Sequence, residues 1–470
     1  MASRNSSAAR REPPRPQRRP ESQRRPAQAR RKPVQQRPAQ ARGKAAQQRP
    51  AKPRQSVAIP FPVPQQRPRR RPLSREEAQR RQEQRLRQQA LEEESRELAK
   101  GPIDLPFCLL VLLLTAIGLV MLLSASFPSA YYTTKKNDPT YYFVRQAVFA
   151  MMGIAAMLFI GKINYQRFRG VAKTLLYVSI VLLILVIIPH NPLAVTRNNA
   201  TRWLGVGELF TFQPSEIAKM AVVIYFSDSI SRKKDMMRTF RYGILPYAMI
   251  LVVTAGLVAV EPHLSGAILI LGVGAALMLV GGINWAWVFG ALGSAAGLLY
   301  FALFVVGYNT SRIQYWLNPW ADAQNKGYQL SQSLITIGSG GLLGVGLGKS
   351  RQKFLFLPEE HNDFIFAIIC EELGLIGASI IMVLFAALIL RGYWIALHTR
   401  SRFGSLLVIG VTTLIAMQTF LNIGVVTGLL PTTGISLPFF SYGGTALSIQ
   451  LAEMGVVLSV SRQMRPTKAG

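Results

Sequence analysis

Cysteine is almost absent: Cys108 and Cys370 are the two thiols in 470 residues. Both lie in or beside apolar runs, and two thiols build neither a disulfide framework nor a four-cysteine zinc site, so cofactor chemistry through cysteine is not expected. Carboxylates are also scarce, 23 Asp and Glu against 54 Lys and Arg, which leaves a formal net charge of +31. The basic N-terminal stretch has no apolar h-region and is read as something other than a cleaved export signal. Such basicity invites a nucleic-acid partner, but 50% of the residues are hydrophobic and they gather in long runs, which marks a membrane domain instead. No nucleic-acid partner is expected.

The charge is unevenly spread. Residues 1–100 hold 28 Lys or Arg against 9 Asp or Glu, hence +19, together with 14 of the 28 prolines; the remaining 370 residues carry +12. Residues 1–72 repeat short Arg, Pro, Gln and Ala units that cannot bury enough apolar surface to offset chain entropy, which predicts a disordered basic cytoplasmic arm. Over 73–102 the composition shifts to Glu, Arg, Gln, Leu and Ala, with Ser74 and Glu77 spaced as a capping box, so a charged juxtamembrane helix is predicted. The arm suits anionic lipid headgroups or an acidic protein partner. A solvated tail without a fixed partner accounts for it equally well.

Apolar runs long enough to cross roughly 30 Å of hydrocarbon occur near 105–127, 143–161, 172–189, 214–230, 241–260, 264–281, 284–307, 363–390, 404–427 and 445–461. They predict an all-α polytopic membrane protein of ten helices, with a membrane domain over 103–462 and a short cytoplasmic tail over 463–470. Lys162, Arg167, Arg169, Lys173, Arg232, Arg238, Arg241, Arg391, Arg400, Arg402 and Arg462 all fall on the side of the arm, which makes that side, with both termini, cytoplasmic. The opposite face carries loops at 190–213, 308–362 and 428–444. The middle one, between helices 7 and 8, runs to about fifty residues, a length that is functional or disordered; Trp316, Trp320, Tyr328 and a Gly-rich stretch favour function. Outer-face cations, Arg202, Arg312, Lys326, Lys349, Arg351 and Lys353, run against the positive-inside bias and point either to an anionic ligand or to a solvated loop surface.

Two places carry candidate chemistry, because an ionisable residue in a span is costly unless paired or wet. In "FQPSEIAKM", Glu216 and Lys219 stand three apart on one helix face and can pair, either as part of a site or as a lock between helices. In "LPEEHNDFIFAIICEELG", His361 and Asp363 close the long loop and open the next span. Low-dielectric walls there would raise the pKa of Asp363 and make it a better proton acceptor; the alternative is a helix N-cap. Glu371 and Glu372, about two turns deeper, need partners and suit helix fastening. "GSGGLLGVGLGKS" is not a phosphate loop, since the spacing before Gly348-Lys349-Ser350 demands glycine where Leu343 stands. Glu359, Glu360, His361 and Asp363 match no zinc pattern, so no metal ligand is assigned, although Mg²⁺ or Mn²⁺ held on a pyrophosphate ligand stays open.

Three long segments, "ATRWLGVGELFTFQPSEIAKMA", "NPWADAQNKGYQLSQSLITIGSGGLLGVGLGKSRQKFLFLPEEHNDFIFAIICEELG" and "GLLPTTGISLPFFSYGGTALSIQ", in this order, resemble the SEDS family (FtsW, RodA, SpoVE) over about 103–462. The resemblance implies a ten-helix peptidoglycan glycosyltransferase of the bacterial cytoplasmic membrane that polymerises lipid II on the outer face, with a class B penicillin-binding protein and other divisome proteins as partners. It implies Asp363 as the catalytic carboxylate, with Lys219, Glu216, His361 and Ser441 supporting the cavity. "EPHLSGA" departs from the family at His263, where many members have Asp, which leaves the role of that loop open. The wording of the last outer loop and the long arm favour division over elongation.

On this reading Asp363 is the general base that takes the proton of a sugar hydroxyl as it attacks the anomeric carbon of a chain borne on undecaprenyl pyrophosphate. The pyrophosphate leaves already ionised, so no general acid is required, and a single displacement inverts the anomeric carbon. Arg202, Lys349, Arg351 and Lys353 are the candidates to meet the departing charge. Two rival readings are a lipid II flippase and a scaffold that recruits a penicillin-binding protein without activity of its own.

Overall fold

The computed structural model describes residues 101–134, 137–188, 191–197, 200–206, 210–261, 263–287, 289–290, 293 and 310–464. The arm, most of the juxtamembrane helix, most of the span expected at 284–307 and the tail beyond 464 lie outside the described residues. The rest is mainly helical: α1 Leu105–Thr133, α2 Tyr141–Lys162, α3 Phe168–Ile187, α4 Pro214–Lys233, α5 Leu245–Val260, α6 Leu264–Val280, α7 Thr310–Leu317, α8 Tyr328–Ser339, α9 Ile365–His398, α10 Arg402–Val426 and α11 Gly444–Ser461. Among the described residues, seven helical stretches are long and apolar enough to cross a membrane, and the apolar α6 is slightly shorter. α4 is the polar exception, because Glu216, Lys219 and Asp228 sit within it. The chain is a multi-pass membrane protein.

Helix contacts follow from residue size. A Cβ at Gly455 of α11 would stand 2.6 Å from the carbonyl oxygen of Met157 on α2, so the two backbones approach as only a small residue allows. Outward positions such as Leu109, Phe159, Val252, Val383 and Leu390 stay exposed and apolar, which is what a lipid-facing surface requires. One end of the bundle is tied by charge. Asp104, which caps α1 by accepting from Phe107 N at 2.9 Å, also takes both Arg391 Nε at 3.0 Å and Nη2 at 2.7 Å. Ser461 Oγ of α11 accepts from Asp104 N at 3.1 Å, so α1, α9 and α11 meet there.

Two features depart from the sequence expectation. The loop 190–213 is not plain coil but a three-stranded antiparallel sheet, β1 Ala194–Arg197, β2 Ala200–Val206 and β3 Phe210–Phe212, in the order β1-β2-β3. The all-α description therefore needs this small correction. Leu204 pairs with both Ala194 and Phe212. The β-branched and aromatic residues of "VTRNNATRWLGV" and "FTF" suit strands, but these stretches are too short to stand out between two apolar runs.

The second departure concerns the long loop. It holds α7 and α8, and its Gly-rich part then runs beside α9, where the helix breaks at Gly374 (φ 68°, ψ −172°). A break frees two donors and two acceptors that lipid cannot satisfy. The loop satisfies them: Val345 N and Gly346 N donate to the carbonyls of Glu371 and Glu372 at 2.9 and 3.0 Å, while Leu375 N and Ile376 N donate to those of Gly341 and Leu342 at 2.9 and 3.2 Å. A Cβ on Gly374 would collide with the main chain of Gly344, and its φ lies where side chains are strained. Gly374→Ala should cost about 1–3 kcal/mol of stability, whereas Gly256→Ala, at an open position of α5, should not destabilise. Thermal unfolding in detergent checks the pair, and equal midpoints would refute the account.

Candidate active site

Asp363 ends the long loop immediately before α9. The cap residue of that helix is Phe364, which makes no side-chain cap bond, so the N-cap alternative is not the conformation adopted. Three successive carbonyls around Asp363 are instead gripped from the last loop and α10. His361 O accepts from Tyr442 N at 2.9 Å, Asn362 O from Ser441 Oγ at 2.7 Å, and Asp363 O from Asn422 Nδ2 at 2.7 Å. Asn422 Nδ2 also donates to Ile435 O at 2.6 Å. Gly434, at φ +63°, lies against the carboxyl: a Cβ there would stand 3.2 Å from Asp363 Oδ2. Glycine serves both demands, the left-handed backbone and the room.

The last loop is itself held. Gln146, buried in α2, donates from Nε2 to Ser441 O at 3.1 Å and accepts at Oε1 from Gly443 N at 3.2 Å. Gln418, one turn before Asn422, donates to Ser436 O at 3.2 Å. Ser265 at the start of α6 donates to Thr433 O. The ring of His361 stacks on Tyr142 with centroids 4.7 Å apart, and Tyr142 meets Tyr442 edge-on at 4.8 Å.

The electrostatics centre on Arg202. Burial, with Glu359 as a like charge, pushes the Asp363 carboxyl up to about 6, and Arg202 and His361 oppose that rise. Arg202 Nε donates to Glu261 O at 3.3 Å. Burial pushes the Glu261 carboxyl up to about 8 against the pull of Arg202, and burial followed by Arg202 and Lys219 holds the His263 imidazole down to about 3. Both side chains are thus chiefly neutral at pH 7. His263 Nδ1 stands 3.2 Å from Gln213 Nε2, so the departing "EPHLSGA" turn belongs to this neighbourhood.

Lys219, 2% exposed, pairs with Glu216 at 2.8 Å inside α4, as the three-residue spacing predicts. Glu453 of α11, buried to the same degree, lies within electrostatic reach of both. Of the four cations considered for a departing pyrophosphate, Arg202 is the one that acts on Asp363. Lys349 and Arg351 are exposed on the loop. Lys353 is buried and committed elsewhere: its Nζ lies 2.9 Å from Glu372 Oε1, 3.1 Å from Ser124 Oγ and 2.8 Å from Gly348 O. The loop carries it inward because the Glu372 carboxylate at the break needs a counter-charge. Ser350 Oγ donates to Glu371, and Arg351 N does so at 3.1 Å, so the two deep glutamates fasten the loop to α9.

Asn422, Gln146, Tyr142, Glu261 and Glu453 were not singled out by sequence reasoning. A signal existed for three of them: an amide or carboxylate inside an apolar run, as at Gln146, Asn422 and Glu453, needs an internal partner. Among the described residues no group of three His, Cys, Asp or Glu is arranged to hold a metal ion, so a divalent ion near Asp363 would take ligands from substrate oxygens and water as well.

A helical bundle crossing the membrane several times, with a carboxyl fixed between a long loop and the last loop, defines a class of polytopic membrane protein with a site at one end. The chain belongs to the FtsW/RodA/SpoVE family of cell cycle proteins, which it matches over residues 105–466. It is similar to the probable peptidoglycan glycosyltransferase FtsW of Geobacter metallireducens, 39% identical over 364 residues that cover 77% of this chain and 96% of that one. It is also similar to stage V sporulation protein E of Bacillus subtilis, 41% identical over 364 residues, 77% and 98% of the two chains. Among solved structures, a chain of a peptidoglycan synthase complex that coordinates polymerization and crosslinking aligns with TM-score 0.64 at 26% identity, covering 77% of this chain and 98% of that one. The rod-shape-determining protein RodA of Thermus thermophilus aligns with TM-score 0.57 at 26% identity, over 78% and 98%.

The geometry separates fastening cations from exposed ones. Lys353→Ala should cost about 3–5 kcal/mol, because it strands the buried Glu372 charge, while Lys349→Ala should leave the unfolding midpoint unchanged. Equal effects of the two substitutions would overturn this division.

Proposed function

We propose that this protein is a peptidoglycan glycosyltransferase that polymerises lipid II at the outer face of the bacterial cytoplasmic membrane, in septal wall synthesis during division. The observation that carries the reading is the Asp363 carboxyl, raised to about 6 yet still chiefly ionised at pH 7, fixed beside Gly434 and within reach of Arg202. Asp363 takes the proton from the attacking sugar hydroxyl as the new glycosidic bond forms, and the bond from the anomeric carbon to the undecaprenyl pyrophosphate breaks. Arg202 meets the negative charge on the departing pyrophosphate. Mg²⁺ or Mn²⁺, carried on pyrophosphate oxygens, would add charge neutralisation there. Lys219 with Glu216 sets the potential beneath the site, and His361 and Ser441 hold the approach to Asp363.

Ten crossings with both termini cytoplasmic complete the topology, the seventh falling within 284–307. The cations at the end opposite Asp363, among them Lys162, Arg169, Arg232, Arg391, Arg402 and Arg462, support that orientation. A class B penicillin-binding protein is the expected crosslinking partner, supported by the likeness to a chain of a synthase complex, with other divisome proteins around it. The basic arm is assigned to anionic lipid or an acidic protein surface.

The test is polymerisation of purified lipid II by the detergent-solubilised protein co-purified with its penicillin-binding protein. Asp363→Asn should lower the rate at least about 100-fold without changing the unfolding midpoint. A base works ionised, so kcat/KM of the unmodified protein should fall about tenfold per pH unit below the carboxyl value of about 6 and level off above it. Full activity in Asp363→Asn removes the mechanism, and inactivity of the unmodified protein with its partner returns the flippase and scaffold readings.

A further inference from the structure

Asn422 is the described side chain that joins the Asp363 backbone to the Gly434 turn. It lies 1% exposed near the end of α10. Its amide has two hydrogens, and its two acceptors, Asp363 O at 2.7 Å and Ile435 O at 2.6 Å, are both carbonyls; two acceptors fix which end of the amide is nitrogen. Both bonds come from one planar group, so the distance between the two carbonyls cannot vary without breaking one of them. Asp363 hangs from the first carbonyl, and Gly434 immediately precedes the second. Asn422 thus sets the main-chain spacing of the two segments, and across it the Asp363 carboxyl oxygen stands 3.2 Å from where a Cβ on Gly434 would lie. Gln418 repeats the grip one turn earlier on the same helix through Ser436 O.

We propose that Asn422 is a positioning residue for the reaction, a clamp that holds the Asp363 main chain, and with it the half-buried carboxyl, at the Gly434 turn. This rests on Asp363 as the base. The clamp binds no substrate. It fixes the main chain from which the carboxyl projects relative to the Gly434 turn, so the place from which the carboxyl takes the proton stays set while the sugar is held.

The test compares Asn422→Leu, which keeps the volume and removes both donors, with the unmodified protein in complex with its partner. Lipid II polymerisation is measured as kcat and KM across a pH range that brackets 6. The clamp predicts a kcat about 10- to 100-fold lower with KM little changed, and an acid limb moved down from about 6 toward the ordinary carboxylate range. A packing role alone would lower the unfolding midpoint and leave the acid limb where it was, and that result overturns the proposal. If Asn422→Leu does not accumulate as folded protein, Gly434→Ala crowds the carboxyl from the other wall. It should likewise lower kcat and move the acid limb, and an unmoved limb there also overturns the proposal. Asp363→Asn in the same assay separates the two ideas. An inactive Asp363→Asn with an unmoved limb in the clamp variants leaves the base in place and removes the clamp. An active Asp363→Asn removes the base, and the clamp with it.

Discussion

The carbonyls of His361, Asn362 and Asp363 each accept a hydrogen bond from the chain between α10 and α11 or from α10 itself. These three residues are not helical and not paired in a sheet, and they lie half-buried at the mouth of a span. Backbone groups in such a place must find partners within the protein. The partners come from two segments much later in the chain, with separations of 79 for Ser441 and 59 for Asn422. The position of Asp363 is thus a tertiary property. It exists once α10 and the last loop are in place, and the loop is in place once Gln146, Gln418 and Ser265 hold it from α2, α10 and α6.

A second constraint acts from below. The break at Gly374 would leave an unsatisfied backbone inside the membrane domain, and the Gly-rich loop supplies four matching hydrogen bonds. Positive φ at Gly341, Gly344 and Gly346 lets this loop curl so that donors and acceptors alternate toward α9. The Glu372–Lys353 pair and the Ser350 contacts then fix the loop by charge as well as by backbone. The stretch that resembles a phosphate cradle in sequence is, in three dimensions, a patch over a broken helix. Its lysine and glycines serve the protein's own backbone rather than a nucleotide.

How much was legible in the sequence depends on the range of the interaction. The long apolar runs announce spans because each is a local property, and nine helices of the described residues fall where the runs do. The Glu216–Lys219 pair was legible for the same reason, a spacing of three on one helix. Asp363 stood out through its place at a span's mouth. The Lys353 role was not legible: exposed by sequence position, it is buried because a glutamate nineteen residues later needs it. The sheet of β1 to β3 was missed because strands of three to seven residues give little periodicity between spans. Asn422 and Gln146, as amides inside apolar runs, signal the need for internal partners but not which ones, since Asp363 and Ser441 lie far from them in the chain.

The electrostatic arrangement follows from burial. Arg202 reaches Glu261 through a main-chain carbonyl rather than through a fully ionised carboxylate. Burial instead discharges Glu261 and His263, two groups of opposite type, in the same small volume, because neither charged form can be solvated there. Burial and Glu359 raise the Asp363 carboxyl while Arg202 and His361 oppose them, and its value settles about a unit below neutrality. A carboxyl so placed is chiefly ionised at pH 7 yet more basic than a surface aspartate, as the proposed role of a base requires. Burial by itself sorts these groups into neutral and charged, and that sorting is what turns a polar mouth into a candidate site for glycosyl transfer.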